Sequence, residues 1–177
     1  MKNLLLIVII TFVYIGSSNG QTPIDVGIFT KNGRTYKIDQ PNSDSPYIVR
    51  LNTLPTLISN PEKVGNYTYD QFVETEIQIP GYQSAWVDIL LPLLSPSRLT
   101  ALKKNGEWIS TSYFLKNDGS VIFSTIILPK NTSFSMIEID SISRAIDANY
   151  KPEIRSLNSG HLTLNYLEIY GGRYYFK

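Results

Sequence analysis

The residues predict an α+β fold: a β-rich N-terminal half, then an α-β-β-α-β unit whose helices pack on an antiparallel sheet. Eight of the ten prolines, Pro23, Pro41, Pro46, Pro55, Pro61, Pro80, Pro92 and Pro96, precede residue 97. Proline removes a backbone donor from a helix interior or central strand, so the first half is expected to be short strands and loops. Two tight-turn signals, Asn32-Gly33 and Asn117-Asp118-Gly119, separate runs rich in β-branched and aromatic residues. Ser95 and Ser135 open stretches of the second half as helix caps do.

Residues 1–20 read as a secretory signal peptide. Lys2 and Asn3 precede an apolar run from Leu4 to Ile15 broken only by Thr11, and Gly16-Ser17-Ser18-Asn19-Gly20 follows. As a helix the run extends about 18 Å, short of the roughly twenty residues that a membrane span needs. Cleavage is expected between Gly20 and Gln21, leaving no transmembrane segment; a retained anchor is the alternative. The chain has no cysteine, which closes the routes to a lipid anchor and to disulfides. An exported chain without disulfides points to a bacterium, and to a periplasmic or extracellular location. The sequons at Asn66 and Asn131 carry little weight beside that.

In residues 21–94 the clearest element is a hairpin, Val26 to Phe29 and Arg34 to Ile38, turning at Asn32-Gly33. Tyr47 to Leu51, Gln71 to Ile79 and Trp86 to Leu91 are further strand candidates, the last also long enough to begin a helix. In residues 95–177, Ser95 caps a short helix over Arg98 to Lys104, with Pro96 in its first turn and Gly106 just past its end. Trp108 to Lys116 and Ser120 to Leu128 form a hairpin. Ser135 and Glu138 fit a capping box, and Met136, Ile139, Ile142, Ile146 and Tyr150 then recur on one helical face. Pro152 stops that helix. His161 to Tyr170 is the last expected strand, with a bulge near Asn165 and Tyr166, because its apolar residues shift from Leu162 and Leu164 to Leu167 and Ile169. Gly171-Gly172 is expected to release the closing segment, Arg173 to Phe176.

The second half resembles the C-terminal domain of the TonB family, periplasmic proteins that contact outer-membrane receptors. The resemblance rests on Ser95-Pro96, Ala101-Leu102, Gly106, Asp118-Gly119, the amphipathic helix ending at Tyr150-Lys151-Pro152, and the strand after Ser159-Gly160. It covers Pro96 to Tyr170. It implies a last strand able to accept an extended peptide by strand addition, here His161 to Tyr170, with Thr163, Asn165 and Leu167 tuning the choice. The alternative is that this strand is covered by the N-terminal half or by Tyr174 to Phe176 pairing back. The membrane helix and long proline-rich linker of an energy transducer are lacking, which points to a domain serving another purpose.

Other chemistries find little support. Gly16-Ser17-Ser18-Asn19-Gly20 matches the serine-hydrolase elbow in letters but lies in the signal segment, without the required strand and helix. His161 is the only histidine, so a zinc site of paired histidines or cysteines is excluded within one chain; it reads as an exposed strand residue rather than a base beside Glu168. Glu74 and Glu76, two apart on an expected strand, read as its solvated face. There is no phosphate loop or calcium loop, and no cofactor or metal is expected. The 16 Lys+Arg and 15 Asp+Glu come level once Lys2 leaves with the signal, so no net field draws the chain to nucleic acid.

Twelve tyrosines remain, several of them clustered with Arg173 at the C-terminus, and tyrosine suits partner surfaces as well as strands. The sequence is read as an exported, non-enzymatic protein binding a peptide or a cell-envelope or outer-membrane protein, with Thr163, Asn165, Leu167, Tyr170, Tyr174 and Tyr175 as candidate contacts. The alternative is a carbohydrate-binding or glycan-utilisation accessory protein whose surface tyrosines stack on sugar rings.

Overall fold

The computed structural model describes residues 24–177. The expected signal peptide, with its cleavage point at Gly20 and Gln21, lies outside the described residues. Asn32 and Gly33, at φ of 48° and 77°, turn strand β1 (Gly27–Lys31) directly into β2 (Arg34–Asp39). Strand β3 (Tyr47–Leu51) follows, then two short pairs, β4 (Lys63–Val64) with β5 (Tyr67–Thr68) and β6 (Ile77–Gln78) with β9 (Arg155–Ser156). The second hairpin is β7 (Trp108–Leu115) and β8 (Val121–Leu128), and the last strand is β10 (Leu167–Tyr175). Six of these strands form one antiparallel sheet in the order β1-β2-β3-β8-β7-β10. Because β3 pairs with β8, Tyr47 opposite Leu128, the regions 21–94 and 95–177 share a single sheet.

Among the described residues four α-helices accompany the strands: α1 (Tyr69–Glu76), α2 (Tyr82–Leu90), α3 (Pro96–Lys104) and α4 (Met136–Asn149). Helices α3 and α4 start where the caps predict. Ser95 Oγ accepts from the Arg98 amide at 3.2 Å, and Glu138 reaches back to the Ser135 amide at 2.8 Å. One face of the sheet, carrying Tyr36, Ile38, Val49, Tyr113, Leu115, Ile126 and Leu128, is buried against the helical layer, where Trp86 and Leu90 of α2 and Ile139, Ile142 and Ile146 of α4 fill the core. Full burial of each such side chain contributes roughly 1.5–3 kcal/mol, which is why α4's stripe, more than its intrinsic propensity, holds it in place.

A polar clamp ties α4 to the first hairpin. Asp140, 1% exposed, accepts from the Tyr36 hydroxyl at 2.6 Å, Asn32 Nδ2 at 2.7 Å and Arg144 Nε at 2.9 Å. Beside it Arg34 meets Asp147 at 2.7 Å.

Several expectations require correction. Gln71 to Ile79 is mostly helix: Thr68 and Gln71 form a capping box that starts α1, and only Ile77–Gln78 is extended. For Trp86 to Leu91 the helical alternative holds and the strand does not: it is the end of α2 and the turn after it. His161 to Tyr170 is not one strand, because Leu157–Thr163 is a 3-10 turn and β10 begins only at Leu167. The bulge lies at Gly171 rather than near Asn165, and Arg173 to Tyr175 remain in the strand.

Candidate functional site along the last strand

The bulge decides which residues of β10 reach the surface. Tyr170 pairs with Ser112 and Gly172 with Thr111, so Gly171 is an extra residue that reverses the inward and outward alternation. Leu167 and Ile169 before it and Tyr174 after it pack on the core. Glu168, Tyr170, Arg173 and Tyr175 share the opposite face of the sheet. Strict alternation without the bulge would drive Arg173 and Tyr175 into the core beside Leu167.

Four neighbours hold the bulge in place. Gly171 is buried against Tyr113 and Thr111 so closely that an alanine Cβ would fall 2.6 Å from Thr111 Oγ1. The Trp86 indole N–H donates to the Gly171 carbonyl at 2.7 Å. Ser110 Oγ lies 2.8 Å from both the Gly172 carbonyl and the Tyr170 hydroxyl, so the same contact positions the Tyr170 side chain.

On the outer face Arg173 is held by aromatic rings. Its guanidinium carbon lies 4.0 Å from the Trp108 ring centroid and 5.9 Å from that of Tyr175, and Nη1 donates to the Tyr175 hydroxyl at 3.3 Å. The Tyr175 hydrogen bond raises the Arg173 pKa against the effect of desolvation, so the positive charge is permanent. Arg34, Arg50, Arg98, Arg144 and Arg155 each face a carboxylate. Among the described residues Arg173 faces none.

Three contiguous recesses follow this strand. The first, about 610 Å³, lies between α1 and the sheet and is lined by Asp70, Glu74, Glu168, Ser112, Ile127 and Tyr170 among others. Tyr69 also borders it, and burial pushes the pKa of its hydroxyl up. The second, about 430 Å³, shares Tyr170 and adds Gly171, Gly172, Arg173, Tyr175 and Gln83. The third, about 480 Å³, shares Arg173 and Gln83 and continues past Ile79, Tyr82 and Ser84. The track is acidic at one end and cationic and aromatic in its middle.

Among the described residues strand β10 is also an edge, with β7 its only partner in the sheet. Its approach is clamped from the N-terminal region. Asn60 Oδ1 accepts from the amides of Asn165 at 2.7 Å and Tyr166 at 3.1 Å, while Nδ2 donates to the Tyr166 carbonyl at 2.9 Å. Asn60 thus does at this point what a neighbouring strand would do.

The expected contact residues therefore separate. Tyr170 and Tyr175, 53% and 48% exposed, line the track. Leu167 is fully buried in the core, and Tyr174 packs inward, edge-on to Phe176. Thr163 lies in the 3-10 turn, donating to the Gly160 carbonyl at 2.7 Å, and the Asn165 side chain donates to the Ser59 carbonyl at 2.7 Å. His161 is not beside Glu168; its Nδ1 lies 2.7 Å from Ser156 Oγ in a local turn contact. Glu74 and Glu76 stand on helix α1 and line different recesses. No cluster of three or more histidine or carboxylate side chains among the described residues is arranged to hold a metal ion. Trp108, Gln83 and Asp70 were not singled out by sequence, and Glu74 was read there only as a solvated face; Gly171-Gly172 beside Arg173 carried a readable signal, that of a bulge.

The arrangement defines an α+β protein with a recessed track along an edge strand. No family model matches the chain, and no curated protein matches it. Among solved structures it is similar to a DUF5043 family protein from Bacteroides uniformis, with a TM-score of 0.62 over 85% of this chain and 84% of that one, at 12% sequence identity. At that identity the likeness concerns the fold alone. No helix among the described residues is long and apolar enough to cross a membrane.

Proposed function

We propose that the protein is an exported bacterial binding protein without catalytic activity, which holds an extended peptide segment of a cell-envelope partner along the track beside β10. The observation that carries this reading is the condition of the edge. Asn60 clamps its start and Trp86 occupies the Gly171 carbonyl, yet from Tyr170 to Tyr175 the strand is bordered by recesses and, among the described residues, has no strand on its outer side. The element order α3, β7, β8, α4, β10, with the last strand at the edge beside β7, supports a TonB-C-like unit in the second half. The contact region is then Tyr170 to Tyr175 rather than His161 to Tyr170. Backbone pairing would supply affinity, and the alternating side chains Tyr170, Arg173 and Tyr175 selectivity.

The exposed rings of Tyr170 and Tyr175 favour a second reading, stacking on a sugar. Panning a displayed library of random peptides on the protein, in parallel with a glycan array, separates the two. The peptide reading expects enriched sequences whose affinity falls roughly tenfold in Tyr170→Ser, about 1.4 kcal/mol, with the thermal midpoint little changed. Glycan capture without peptide enrichment would overturn it.

A further inference from the structure

Resting on the peptide reading, we infer that Arg173 is a carboxylate receptor, and that the preferred peptide carries an acidic group there and a basic side chain about four or five residues away, over the acidic recess. An arginine offers five N–H donors in a planar fork that matches a carboxylate. In Arg173 one donor is directed to the Tyr175 hydroxyl, while the Trp108 and Tyr175 rings hold the plane of the fork. Its side chain lines both the second and third recesses, next to Gln83, whose amide can add a further polar contact. A side chain already ordered by ring stacking loses little freedom on binding an anion, which is the advantage of preorganisation.

The two ends of the track are complementary to one ligand and not to each other. Asp70, Glu74 and Glu168 make no ion pair among the described residues, and neither does Arg173. Glu168 and Arg173 lie on the same face of one strand with the bulged residue between them, roughly 15 Å apart at the usual rise of a strand. An extended peptide beside β10 covers that span with about four or five residues. An acid at one end and a base at the other would satisfy both unpaired sets. The acid can be an aspartate or glutamate side chain or the chain end itself.

The test uses synthetic decapeptides built on the sequences enriched above, with a single Glu or Gln at each position, a Lys at varied spacing, and free or amidated C-termini. Binding is measured by fluorescence anisotropy to the wild type and to Arg173→Gln and Arg173→Lys. Glu-bearing or free-acid peptides are expected to bind at least about tenfold more tightly than their Gln or amide counterparts, with the advantage falling as salt rises. Arg173→Gln should abolish that difference, and Arg173→Lys should restore only part of it. Loss confined to amidation assigns the chain end as the source, and loss confined to Glu→Gln assigns the side chain. Equal binding of Glu and Gln peptides, free and amidated, by the wild type would overturn the inference and leave the peptide reading standing. Failure of every peptide to bind would overturn both.

Discussion

Replacing Gly171 with alanine should destabilise the protein and disable the track together. Gly171 has no positive φ, so the cost is steric rather than conformational. The added Cβ would lie 2.6 Å from Thr111 Oγ1, which must retreat by about 0.8 Å to reach even the 3.4 Å limit of ordinary contact. Retreat is blocked: Thr111 and Tyr113 are fully buried and hydrogen-bonded to one another, and the Tyr113 ring is stacked on Tyr150 with centroids 4.3 Å apart. Overfilling a packed core costs roughly 1–3 kcal/mol, and two immobile neighbours place this site at the upper end, about 3 kcal/mol. For a chain of this size that lowers the thermal midpoint by about 6–12 °C. Urea and thermal denaturation followed by far-ultraviolet circular dichroism measure it, with Gly172→Ala as the comparison. At Gly172 the Cβ meets the Gln83 side chain no nearer than 3.7 Å, and the cost is limited to the φ of 86°, roughly 1 kcal/mol. A Gly171→Ala protein within 1 kcal/mol of wild type, or no less stable than Gly172→Ala, would refute the steric account of the bulge.

Asp140→Ala should cost roughly 2–4 kcal/mol, because the buried Tyr36 hydroxyl loses its acceptor along with the bonds from Asn32 and Arg144. Burial opposes ionisation of Asp140, but the bonds from Tyr36, Asn32 and Arg144 together hold its carboxyl below the ordinary range. A lowered folded-state pKa means that the unfolded chain binds the proton more readily. Its contribution is therefore complete above about pH 4 and disappears as pH falls through the folded value. Denaturation between pH 5 and 2 should show a smaller acid-induced loss in Asp140→Ala than in wild type; parallel curves would count against the assignment. Asn60→Ala should cost about 1–2 kcal/mol and, by uncovering the start of β10, promote self-association visible in light scattering. A variant that stays monomeric at high concentration would show that Asn60 is not what protects the edge.

Much of the local structure is legible from residue types. Asn32-Gly33 makes its turn, Ser95 and Ser135 cap their helices, and the apolar spacing of α4 turns Ile139, Ile142 and Ile146 inward. Each depends on neighbours close in sequence, where steric and hydrogen-bonding rules are strong. Helix α1 was missed because Gln71 to Ile79 mixes apolar and charged residues with no clear period, and its deciding signal, Thr68 with Gln71, lies at the boundary. Of the candidate contacts, Tyr170 and Tyr175 line the track, whereas Leu167 and Tyr174 belong to the core.

By itself the sequence determined the α+β class, the two hairpins and the capped helices α3 and α4, all consequences of interactions within a few residues. Only the tertiary structure decided which face of β10 is outside. That choice turns on one extra residue, Gly171, which fits because Trp86, Thr111 and Tyr113 converge on it from distant parts of the chain. A period-two strand reverses every side chain when a single residue is inserted, so a contact among residues far apart in sequence governs whether Arg173 faces solvent or core.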